Sequence, residues 1–191
     1  MRLRSEDRLR QAPPDLVEKL AVELRRAGSR EIGGVLVGEH VGPNEFRIVD
    51  LSVQRAGGSR TCFVRRPEQH GRFLNAFFAR TEREFERFNY LGEWHSHPSF
   101  AVQPSATDVR QMHDIVSEGE NVPLFAVLMV VRLSNQDALE VNALAFRPHM
   151  EPSPVKLSIA ERPDGDPPPE PVDWWNRLFV SDAQSRRIRL I

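Results

Sequence analysis

The chain has 191 residues, 40% of them hydrophobic and 28% charged, with a formal net charge of −1. That balance suits a globular domain with a proper core and room for an appendage; it supplies no basic field for phosphate backbones, so nucleic acid is not an expected partner. The single cysteine, Cys62, excludes an intramolecular disulfide framework and fits a reducing, cytoplasmic compartment.

The N-terminal stretch MRLRSEDRLRQAPPD is charged and no apolar run follows it, so it does not read as a signal peptide. No run reaches the roughly 18 apolar residues that a membrane span needs, and no membrane partner is expected. Lys19 and Lys156 are the only lysines, leaving 24 arginines, a bias that codon usage in a GC-rich genome accounts for.

Residues 14–27, PDLVEKLAVELRRA, carry Leu16, Val17, Leu20, Val22 and Leu24, with Pro14 in the first turn and Gly28 just past the end. This spacing predicts an amphipathic helix. EIGGVLVGEH (31–40) predicts a buried strand, EFRIVDLSVQ (45–54) a second, and TCFVRR (61–66) a third that includes Cys62 as a small buried residue rather than a nucleophile. A long helix is predicted over 67–88, with Phe73, Leu74, Phe77, Phe78 and Phe85 packing into the core. YLGEWHSH (90–97) predicts the next strand, and a helix should run from about Ser105 to Ser117. Strands over 123–133 and 137–147 complete a mixed α/β domain that ends near residue 160.

ERPDGDPPPEPVD (161–173) holds five prolines in thirteen residues and predicts an extended acidic linker. The following tail, 174–191, gathers Trp174, Trp175, Leu178, Phe179 and Val180, which are expected to dock on the domain or on a partner.

The chemistry concentrates in EWHSHPSFAVQPSATD (93–108). Residues two apart on a strand share a face, so His95 and His97 project together, as two ligands of one metal must. Leu91, Glu93 and Ser96 do not alternate cleanly, so core packing alone does not explain the pair. On these residues alone, metal binding and a structural role stay balanced. Ser105 and Asp108 have an ordinary reading as a helix N-terminal box, which is compatible with Asp108 also offering an oxygen to a metal. Two nitrogens and one carboxylate oxygen make the three-ligand set common in catalytic zinc sites, with the fourth position left for water. Such a site needs a base, and no His-Glu-x-x-His helix supplies one. Composition does not choose among the remaining acids.

Glu31 followed by IGGVLVG, then His95-Ser96-His97-Pro98, the seven residues from Pro98 to Pro104, Ser105, two more residues and Asp108 resembles the JAB/MPN family and its JAMM metalloprotease motif. YLGEWHSHPS resembles the prokaryotic branch in particular. The resemblance covers about residues 14–150 and leaves the linker and tail unmatched. It implies a three-layer, cytidine-deaminase-like α/β fold with a central mixed sheet flanked by helices. It also implies that His95, His97 and Asp108 bind zinc, that Glu31 is the general base toward zinc-activated water, and that Ser105 donates to the oxyanion. Ser96 is expected to face away without a catalytic role, and His113 to be a surface or neighbouring residue rather than a ligand. The implied activity is hydrolysis of the amide bond at the C-terminus of a ubiquitin-like or similarly conjugated protein. Activating and conjugating enzymes of bacterial anti-phage or modification systems are the implied companions. Three alternatives stay open: processing of a ubiquitin-like or sulfur-carrier precursor, a non-catalytic MPN scaffold, and a zinc hydrolase of small amides.

Overall fold

The computed structural model describes residues 8–12, 14–55, 67–119, 122–134 and 138–159. The predicted strand 61–66 with Cys62, the linker 161–173 and the tail 174–191 lie outside them. The first helix, α1 (Pro14–Ala27), has the predicted bounds. Pro14 occupies the helix start, where a missing N–H breaks no intrahelical bond. Leu16, Leu20 and Leu24 recur on one buried stripe. Gly28, at φ +60, ends the helix by donating its N–H to Leu24 O at 3.1 Å.

Eight strands form one mixed sheet in the order β7-β6-β5-β4-β2-β3-β1-β8. They are β1 (Arg8–Ala12), β2 (Gly33–Gly42), β3 (Glu45–Leu51), β4 (Phe88–Ser96), β5 (Ala126–Leu133), β6 (Leu139–Phe146), β7 (Ser153–Pro154) and β8 (Lys156–Ile159). β2 and β3 form a hairpin whose turn holds Asn44 at φ 59, a conformation asparagine tolerates better than most residues. β2 also pairs antiparallel with β4, and β4 pairs parallel with β5 across the helix α3 (Ala106–Ser117). Sequence reading did not anticipate β1, β7 or β8. The last two are only two and four residues long, too short for a period to show.

Alternation along β5 divides the core into two clusters. Val127, Met129 and Val131 pack with α1, while Ala126, Leu128 and Val130 pack with Met112 and Val116 of α3. The sheet therefore carries a helix on each face, which gives three layers.

Two predicted elements end early. β3 stops at Leu51 instead of 54, and Gln54 keeps one isolated bridge to Gly33. Helix α2 (Pro67–Arg80) stops eight residues short of the prediction. Thr81 turns its hydroxyl back on Phe77 O at 3.0 Å, and Glu82 and Arg83 adopt left-handed φ values of 55° and 57°. Arg83 N–H then closes on Phe78 O at 2.9 Å. As a result Phe85 lies outside the helix, stacked edge-on to Phe78 and 48% exposed rather than in the core, whereas Phe77 is buried as expected.

One irregularity in β4 bears on the site. Leu36 pairs with Gly92 but Val37 with Tyr90, so Leu91 is an extra residue, a bulge, and Gly92 takes φ +146. The bulge resets the side-chain alternation. Leu91 and Trp94 both enter the α1 cluster, while His95 faces the α3 side. This explains the broken alternation noted in the sequence.

Candidate metal centre

His95 is the penultimate residue of β4, His97 follows that strand, and Asp108 stands in the first turn of α3. One ligand atom from each lies within 4.8 Å of the other two. The two imidazoles meet at 3.1 Å between Nε2 atoms, and Asp108 Oδ2 is 3.7 Å from His95 Nε2. Both histidines are buried.

The helix start fixes the carboxylate. Ser105 is the N-cap of α3, with its Oγ accepting the Asp108 N–H at 3.2 Å, and Asp108 Oδ2 accepts the Ser105 N–H at 2.7 Å. This capping box, predicted from Ser-x-x-Asp, removes most of the side chain's freedom before any ligand arrives. The oxygen that makes the cap is also the one facing His95.

The His97 imidazole is oriented by backbone. His97 Nδ1 is 2.8 Å from Ala101 O. A carbonyl only accepts, so the proton at Nδ1 faces Ala101, and the tautomer this bond selects has its lone pair at Nε2. The loop that supplies Ala101 is tied down by Arg132 Nη1, which donates to Phe100 O at 2.9 Å. Burial lowers the His95 pKa to about 4, Asp108 opposing and His97 reinforcing the shift, so the His95 ring is neutral near pH 7. Tetrahedral coordination with bonds of about 2.05 Å separates two nitrogens by about 3.3 Å, close to the observed 3.1 Å. Convergent nitrogens beside a fixed carboxylate fit a divalent cation that favours nitrogen and oxygen ligands.

Glu31 reaches the same place through strand pairing. Gly33 pairs with His95 in the antiparallel β2–β4 ladder, so continuing that register two residues back from Gly33 and two forward from His95 brings Glu31 opposite His97. Its side chain is buried, which raises its pKa; His97 lowers it in part, and Asp108 raises it. Ser105 is exposed at the rim. All five residues singled out in the sequence thus converge at one end of β4.

Residues 13–146, well over half the chain, match the family of prokaryotic homologs of the JAB domain. The chain belongs to this family. A relative named CD-NTase/cGAS isopeptidase, from Enterobacter hormaechei subsp. hoffmannii, is 28% identical to this JAB chain over 123 residues, 60% of this chain and 62% of the relative. A protein of the same name from Vibrio cholerae serotype O1 is 36% identical over 99 residues, 51% and 61% of the two chains. The JAB chain therefore spans about three fifths of the length of these curated relatives. In fold it is similar to a Desulfitobacterium hafniense protein solved in solution, with a TM-score of 0.61 at 15% identity over 81% of this chain and 94% of that one.

Three participants in the JAB site escaped the sequence reading. Ala101 acts through its carbonyl and Arg132 through a loop carbonyl, and backbone acceptors leave no residue-type signal. Ser96 does face away from the two imidazoles, but its hydroxyl accepts the Ile32 N–H at 3.0 Å. His113 stands edge-on to Phe146 and is not in the ligand cluster. Among the described residues no helix is long and apolar enough to cross a membrane.

Proposed function

We propose that this chain is a zinc-dependent isopeptidase that hydrolyses the amide bond joining the C-terminus of a ubiquitin-like or similarly conjugated protein to its target. The observation that carries the reading is the convergence of His95, His97 and Asp108 within 4.8 Å, with buried Glu31 on the neighbouring strand segment. The relatives named CD-NTase/cGAS isopeptidase support the bond type and make a CD-NTase conjugate the first substrate to test.

His95 Nε2, His97 Nε2 and an Asp108 oxygen would hold the metal. Zinc, when bound, supplies Lewis-acid chemistry, acidifying water and polarising the scissile carbonyl. The Glu31 carboxylate accepts a proton from the attacking water and delivers it to the leaving nitrogen as the C–N bond breaks, leaving a carboxylate and a free amine. Its raised pKa brings it closer to the working range of such a proton carrier. The Ser105 hydroxyl uses an oxygen lone pair to cap α3 and keeps its own proton, which it donates to the oxyanion as charge develops there.

The test pairs metal analysis with cleavage. Purified protein is expected to hold about one zinc per chain and to release a CD-NTase joined through its C-terminal carboxyl to a lysine of a second protein. Glu31→Gln is expected to retain the zinc and to lose turnover by about 10²- to 10⁴-fold, the usual contribution of a general acid–base. Cleavage of a linear ubiquitin-like fusion, with no action on an isopeptide conjugate, points instead to precursor processing. Full activity in Glu31→Gln removes Glu31 as the base.

A further inference from the structure

We infer that Ser96 is a positioning residue for Glu31, locking the strand segment that carries the base onto the strand that carries the ligands. This rests on the role proposed for Glu31 above. Ser96 is 0% exposed, and its side chain lies on the opposite side of the strand from the imidazoles on either side of it. Its backbone N–H donates to Ile32 O at 2.8 Å, and its Oγ accepts the Ile32 N–H at 3.0 Å. An antiparallel ladder would ordinarily satisfy that N–H with a backbone carbonyl. Here a hydroxyl takes the carbonyl's place, just before the first residue of β2 at Gly33.

The consequence falls on the next residue. Among the described residues no side chain donates a hydrogen bond to the Glu31 carboxylate, so its place is set by the packing around a side chain 5% exposed and by the backbone that carries it. That backbone is held on its C-terminal side by the two bonds between Ile32 and Ser96. Ile32 is itself 1% exposed, so its N–H has no water to turn to if the hydroxyl is removed. The segment then relieves the lost bond by shifting, and Glu31 shifts with it. His95 and His97 are anchored separately, through the β4–β5 ladder and the bond from His97 N–H to Val131 O at 2.9 Å. Removing the hydroxyl therefore separates the base from the metal ligands without dispersing the ligands.

The test is a double-mutant cycle of Ser96→Ala and Glu31→Gln, assayed by cleavage of the isopeptide-linked CD-NTase, alongside zinc content and hydrogen exchange at the Ile32 amide in the metal-free protein. Ser96→Ala is expected to keep one zinc and an unchanged KM, to expose the Ile32 amide to exchange, and to lower kcat on the order of 100-fold, as an ångström-scale misplacement does. In the Glu31→Gln background the same substitution is expected to cost little, because the group it positions is gone. An equal loss in both backgrounds, or Ile32 exchange that does not change, overturns the inference. If Ser96→Ala does not fold, Ser96→Thr, which keeps the acceptor oxygen, must retain kcat, and its loss overturns the inference as well. Glu31→Gln cleaving like wild type sinks the base assignment instead, and the exchange measurement still decides whether the clamp exists.

Discussion

Oδ2 of Asp108 accepts the Ser105 N–H at 2.7 Å and stands 3.7 Å from His95 Nε2, so a single oxygen closes a helix cap and faces the candidate metal site. The two duties separate on substitution. At this N3 position asparagine still offers an oxygen to the Ser105 N–H but carries no charge for a cation. Asp108→Asn is expected to destabilise the metal-free protein by no more than about 1 kcal/mol, the scale of one carboxylate charge at a helix N-terminus. It should weaken zinc binding by more than about 10-fold. Thermal unfolding of the metal-free protein and a competitive zinc titration check the two halves; equal zinc affinity would remove Asp108 from the ligand set. This doubling is also why the sequence was ambiguous here. Ser-x-x-Asp is a sufficient cap by itself, and only its distance from His-x-His points beyond that. Metal ligation needs particular side chains at particular spacings, so the gathering of His95, His97 and Asp108 was legible. The carbonyl of Ala101, which fixes the His97 tautomer, was not, because any residue can supply one.

At the scale of elements, β4 depends on an extra residue. A strict two-residue alternation from Leu91 would put Leu91, Glu93 and His95 on one face, an apolar core group beside a polar site. The bulge at Leu91–Gly92 changes the phase, so Leu91 and Trp94 reach the α1 core and His95 reaches α3. Gly92 is needed twice over. Its φ of +146° is a conformation other residues rarely adopt, and an added Cβ would lie 2.0 Å from Val127 O and 2.4 Å from Val127 N. Both contacts are with the backbone of the adjacent central strand, which has no rotamer to yield. Gly92→Ala is expected to destabilise the protein by about 3 kcal/mol or more, from backbone strain together with overpacking. Urea unfolding measures this directly, and a change below about 1 kcal/mol would show that the bulge relaxes. The long apolar runs and Pro14 made α1, β2 and β5 readable. The end of α2 was not, because TEREFERF contains no glycine or proline, and its stop is made by Thr81 folding back and two non-glycine residues turning left-handed.

Across the whole molecule the layers are joined by ion pairs far apart in sequence. Asp50 of β3 accepts Lys19 Nζ of α1 at 2.9 Å and Arg80 Nη2 of α2 at 2.6 Å, so one carboxylate ties two helices to the sheet. Glu23 of α1 similarly binds Arg55 through both oxygens, at 2.7 and 2.8 Å. A balance of 27 acidic and 26 basic residues discloses none of this pairing. The partners of Asp50 are 31 and 30 residues away, and only the folded sheet brings them together. Burial pushes the Asp50 pKa up, but Lys19 and Arg80 together outweigh it and hold the carboxyl below its ordinary value. A carboxylate whose pKa is depressed by folding adds stability that is fully present above its unfolded pKa, near about 4. That stability is lost as the pH falls from there through the lower folded pKa. Asp50→Asn removes the charge at every pH. It is therefore expected to destabilise the protein by about 2 kcal/mol at pH 7, the scale of hydrogen bonds to a partly buried charge. The gap between wild type and variant should narrow steadily below pH 4 as the wild-type Asp50 itself becomes protonated. Urea unfolding of both proteins at pH 7, 4 and 3 follows that convergence. A gap that stays constant over this range would mean that Asp50 contributes by shape rather than by charge, and that the tie between the helices and β3 is not electrostatic.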